Sequence, residues 1–98
     1  MIKINGETWK LFLVSPHHPI LLTPEGSFTL GACDLPTHSI YINENLNSQK
    51  MKQVLCHELT HAVMFSYNIK LDLYQEELLA DMIATYGQEI IDITNQAI

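Results

Sequence analysis

No arginine occurs in the 98 residues, and the five lysines (Lys3, Lys10, Lys50, Lys52 and Lys70) form no basic patch. Nucleic-acid recognition leans on clustered Lys and Arg, so direct DNA or RNA binding is excluded, as is a basic helix lying on a membrane surface. Eleven Asp and Glu leave a formal net charge of −6. There are only two cysteines, Cys33 and Cys56, too few for a disulfide scaffold and not spaced as CxxC. Apolar runs are a few residues long, so nothing spans a bilayer, and Met1 to Glu7 lack the apolar stretch of a signal peptide. The expected setting is a reducing cytoplasm, with neither membrane nor nucleic acid as partner.

What is present suits one domain over residues 1–98. Apolar residues make up 47% of the chain, and a domain of this length buries about 60–65% of its unfolded surface without staples. There are no repeats and no linker. The first half reads as strands. Ile2 to Ile4 and Trp9 to Val14 flank Asn5-Gly6, a hairpin signal, and Ser15-Pro16-His17-His18-Pro19 breaks regular structure. Ile20 to Thr23 and Ser27 to Cys33 read as extended stretches around Pro24-Glu25-Gly26, and Ser39 to Ile42 as a β-branched strand. The second half is helical. Asn47 or Ser48 caps a helix bearing Met51, Val54, Leu55, Leu59, Ala62 and Phe65 and ending near Tyr67-Asn68. Asp72 with Gln75 resembles a capping box, opening a second helix with the stripe Leu79, Ile83, Tyr86, Ile90 and Ile93.

His57-Glu58-Leu59-Thr60-His61 is an HExxH motif within the first helix. A shuffled chain of this composition yields the string roughly one or two times in a hundred, so chance is a poor account of it. Four residues along a helix turn a side chain by about 40° and rise about 6 Å. His57 and His61 therefore share a face at the spacing of two imidazole ligands to Zn²⁺, with Glu58 placed to hold and deprotonate a metal-bound water. A catalytic site needs a third protein ligand. The metzincin pattern is absent, because Met64 and Tyr67 occupy its glycine and third-histidine positions. Upstream candidates are Cys33, Asp34, His38 and the His17-His18 pair. Downstream, Glu77-x-x-x-Asp81 places a ligand carboxylate and a second carboxylate one turn apart, and Asp81 can accept the free ring N–H of a zinc histidine. Glu76 is the rival ligand; on a helical wheel it leans toward the apolar stripe. Ala80 and Ala84 allow the helices a close approach. Cys56 reads as a buried thiol, and Trp9, Phe12, Phe28, Phe65, Tyr67, Tyr74 and Tyr86 as core.

His57-Glu58-x-x-His61 followed by Glu77-x-x-Ala80-Asp81-x-Ile83-Ala84 resembles the gluzincin arrangement of the ImmA/IrrE-like family of small metallopeptidases, over roughly residues 38 to 91. The resemblance implies a substrate cleft lined by the strand at Ser39–Ile42. It also implies a bacterial cytoplasm, short chains of this kind being typical of phage and mobile elements. The expected fold is α+β: a small, mostly antiparallel sheet packed on the HExxH helix and a C-terminal helix, a minimal zincin. The expected activity is zinc-dependent hydrolysis of a peptide bond in a protein or peptide substrate. His57, His61 and Glu77 hold Zn²⁺, Glu58 is the general base and Asp81 orients a histidine. Two other readings stay open: a non-catalytic, antirepressor-like zinc module, and a zinc hydrolase of a non-peptide amide or ester. Neither the substrate's identity nor the oligomeric state is legible.

Overall fold

In the computed structural model, which describes residues 2–98, Asn5 and Gly6 both take left-handed backbone angles (φ 50° and 78°). That pair defines a type I′ turn, whose twist matches that of the strands it joins. It closes an antiparallel hairpin of β1 (Ile2–Ile4) and β2 (Glu7–Val14), with Ile4 opposite Glu7. A second antiparallel pair, β3 (Gly31–Asp34) and β4 (Ser39–Asn43), turns through residues 35–38. β4 also runs parallel to β2, with Leu11 beside Ile40, giving one sheet in the order β1-β2-β4-β3. Two of its three pairings are antiparallel. A parallel neighbour requires a long return, and residues 15–38, with β3 among them, supply it.

That return segment differs from the sequence expectation. Pro19–Leu21 is a single 3₁₀ turn rather than a strand, and His18 Nδ1 accepts the Ile20 N–H at 3.1 Å. Proline at the first helical position presets the backbone for that turn. Of the stretch expected to be extended from Ser27, only Gly31 onward joins the sheet; Phe28 makes one isolated bridge to Leu22.

The helices follow their caps. Asn47 accepts the Lys50 N–H at 2.8 Å and opens α1 (Ser48–Ser66). Asp72 and Gln75 form a reciprocal capping box that opens α2 (Leu73–Ala97). α1 packs across β3 and β4, and α2 packs along α1. The core between sheet and α1 comprises Ile4, Trp9, Ile40, Ile42, Val54 and Ala62. No helix among the described residues is long and apolar enough to cross a membrane.

Of the aromatic residues read as core, only Trp9 is buried (1% exposed), stacked on His38 at 4.5 Å and edge-on to Phe65. Phe12, Phe28, Phe65, Tyr67, Tyr74 and Tyr86 are all exposed. Two helices stacked on one side leave the sheet's other face open, and there Phe12 stacks on Tyr41 at 5.2 Å. Tyr67 and Tyr74 sit at helix ends, and Tyr86 faces solvent on α2.

Candidate metal centre

α1 and α2 run antiparallel beside each other, and the HExxH segment lies where they meet. Ala80 of α2 is fully buried, so a small side chain lets the two backbones come close at this level. The result is a cleft of about 390 Å³ between the helices and the start of β3, lined among others by His57, Glu58, His61, Glu77 and Asp81.

The two imidazoles point their Nε2 atoms at each other, 3.2 Å apart. The Glu77 carboxylate closes a triangle, with Oε1 3.0 Å from His61 Nε2 and Oε2 3.3 Å from His57 Nε2. Each histidine is held from behind. His57 Nδ1–H donates to Asp81 Oδ1 at 2.9 Å, and His61 Nδ1–H donates to Glu76 Oε2 at 2.5 Å. With both Nδ1 atoms donating to carboxylates, both Nε2 lone pairs and an anionic carboxylate face one point. A cation placed there resolves that repulsion. Tetrahedral bonds of about 2.0–2.1 Å span edges of roughly 3.3 Å between ligand atoms, which the observed triangle approaches. The donor set can therefore hold a metal ion, and its three atoms lie within 4.8 Å of one another.

Asp81 thus stands against His57. It does so as an exposed residue, not as the buried carboxylate the surrounding apolar stretch implies. Glu76 does not point along the apolar stripe. It is the partner of His61, a role the sequence reading missed. The signal was available: two histidine ligands need two Nδ1 acceptors, and Asp81 can serve only one. The upstream candidates lie in other environments. His38 stacks on Trp9 and pairs with Glu7 at 3.5 Å, His17 packs against Phe28, and His18 caps the 3₁₀ turn. Burial, reinforced by the charges of Glu58, Asp34 and Glu76, pushes the Cys33 thiol up to about 12, and its sulfur does not join the donor atoms that converge between the helices. Asp34 accepts a hydrogen bond from the Thr37 hydroxyl at 2.8 Å. Cys56 is half-buried and lines the other side of the α1–α2 pair.

Glu58 is buried on the sheet side of the same cleft, with no ion-pair partner among the described residues. Burial pushes its carboxyl up, against the opposing pull of His57 and His61, and Glu77 adds to the rise. The strand beside it is β3, not Ser39–Ile42. β4 lies inside the sheet with Ser39, Ile40 and Ile42 buried, whereas Thr29, Leu30 and Gly31 line the cleft. Lys50 and Gln53, two turns and one turn before His57, also line it.

Gly31 fixes the distance between β3 and α1. A methyl group there would stand 2.6 Å from Val54 Cγ1, 3.2 Å from Glu58 Cγ and 3.3 Å from Ile42 Cδ1. Gly31→Ala is expected to destabilise the fold by about 1–3 kcal/mol through overpacking, read as a lower urea midpoint. An unchanged midpoint would show that the contact is looser than described.

A model of the IrrE N-terminal-like domain, described as a peptidase family, matches residues 17–91. The matched span contains all six residues of the cluster: His57, Glu58, His61, Glu76, Glu77 and Asp81. No curated protein and no solved structure matches the chain.

Proposed function

Because the chain belongs to the IrrE N-terminal-like domain family, we propose that it is a zinc-dependent peptidase in which His57, His61 and Glu77 hold the metal and Glu58 is the general base. One observation carries this reading: three ligating side chains, rather than four, converge in an open cleft with a buried, unpaired carboxylate beside them. A structural zinc site closes its coordination with four protein ligands, whereas a catalytic one leaves a position free. Two imidazoles and a carboxylate are a donor set suited to Zn²⁺.

When bound there, Zn²⁺ supplies Lewis acidity, bringing the ionisation of water to about pH 7 and polarising a substrate carbonyl. The chain's own residues do the rest. Asp81 and Glu76 keep His57 and His61 in the tautomer that presents Nε2 to the cleft. Glu58 takes a proton from the attacking water at its carboxylate as the water oxygen bonds to the carbonyl carbon. It then delivers that proton to the amine nitrogen as the C–N bond breaks. A carboxyl whose burial raises its proton affinity suits both halves of this transfer. Substrate is a peptide or protein segment entering along Thr29–Gly31. A single domain over residues 1–98 and a cytoplasmic setting belong to the same proposal, supported by two cysteines that are both free.

The test is metal analysis of the protein purified without chelator, beside a peptide-cleavage screen. About one Zn²⁺ per chain is expected, with most of it lost in His61→Ala. Stoichiometric zinc retained by His61→Ala would remove the assignment.

A further inference from the structure

The cleft between the helices continues past the metal triangle toward the start of α1, where Gln53 and Lys50 line it. Lying four and seven residues before His57, they return to its helix face within about 40° and 20°, at rises of about 6 and 10 Å. Across from them, Ala84 and Thr85 follow Asp81 on α2 by about one turn, and Thr29 lies just before β3. The carboxylates that line the cleft, Glu58, Glu77 and Asp81, all stand at the level of the histidines. Among the lining residues Lys50 is the one cation.

That charge is uncommitted. Lys50 is exposed, no acidic residue stands in the first turn of α1, and no salt bridge among the described residues engages it. Its Nζ donates to Gln53 Oε1 at 3.1 Å, which draws the ammonium to within about one turn of His57. An ammonium can only donate, so the amide turns Oε1 toward Lys50 and keeps both Nε2 hydrogens for another acceptor. A carboxylate answers both groups, one oxygen on Nζ and the other on Nε2–H. The acids of the cluster make no equal demand for a cationic substrate. Asp81 and Glu76 are engaged by His57 and His61, and Glu77 faces both Nε2 atoms. On the peptidase reading of this same cleft, we propose that Lys50 and Gln53 form a carboxylate-binding subsite beside the metal. The preferred substrate then carries a carboxylate, on an Asp or Glu side chain or at its C-terminus, within about two extended residues (roughly 7 Å) of the cleaved bond.

Metal-anchored probes test this on the intact, zinc-loaded chain without a known substrate. Short peptides bear a hydroxamate at one end or the other, which covers both directions in which a chain can lie. Each carries Glu, Gln or Lys at one of the two positions next to the hydroxamate, and Gln probes with a free or an amidated C-terminus separate the two sources of carboxylate. The best Glu probe should bind about three- to tenfold tighter than its Gln counterpart, with Lys weaker than both. Lys50→Met should erase that ranking and Lys50→Glu reverse it. Fold and zinc content should hold in both, because position 50 is exposed and lies in the first turn of α1, where an acid is favoured. A gain from the free C-terminus alone would support the subsite equally and assign it to the chain end. Zinc-dependent binding with equal affinity for Glu and Gln, or a ranking that Lys50→Met leaves unmoved, would overturn the subsite while the metal reading stands. Binding of no hydroxamate, or binding that persists once zinc is stripped, would instead remove the metal reading and the subsite with it.

Discussion

Glu58→Gln is expected to lower peptide cleavage by about 10²–10⁴-fold while leaving zinc content and fold intact. Glutamine preserves the shape of the buried side chain packed against β3 but cannot accept a proton from water. Among the described residues Glu58 has no ion-pair partner to lose, so the substitution strands no other charge. Circular dichroism, metal analysis and cleavage rate on the same preparation give the three readings needed. Cleavage by the variant at the parental rate would show that Glu58 is not the base. Zinc in both proteins with cleavage in neither, over a diverse peptide set, would leave a metal module without catalysis.

Glu77→Ala is expected to lose more zinc affinity than any other single carboxylate substitution, because it removes one of the three groups proposed to hold the metal. Glu76→Ala and Asp81→Ala should each weaken binding by about 10–100-fold by releasing His61 and His57 from their Nδ1 acceptors. Glu76 should matter more than Asp81: its side chain is 25% exposed against 68%, so water replaces it less readily. On the sequence alone, Glu76→Ala should cost only a helix-terminus term; the bond to His61 reverses that expectation. Zinc titration of the three variants decides. Parental affinity in Glu77→Ala would move the third ligand elsewhere.

The helices were legible because their signals are local. A capping box needs only Asp72, Gln75 and the backbone between them, and HExxH states its own geometry once it lies on a helix. The pairing of Asp81 with a histidine was legible for the same reason, though not which histidine. That follows from the antiparallel register, which sets His57 across from Asp81 and His61, one turn further on, across from Glu76 and Glu77. Glu76 was misplaced by a wheel drawn for α2 alone, when the angle that mattered was the one between two helices. The parallel contact of β2 with β4 joins residues about thirty positions apart, and no local pattern encodes it. Exposure of the aromatics has a similar origin: alternation gives each residue's face, but only the tertiary count of layers decides which face stays wet.

Trp9 is the chain's sole indole, and it is sealed between the hairpin and the end of α1, plane to plane with an imidazole. The protein therefore carries its own optical gauge. Emission from that buried ring is expected to move red when the ring meets water. Because Phe65, one of its two aromatic neighbours, belongs to α1, a denaturant titration watched at the indole reports sheet–helix docking with no label attached.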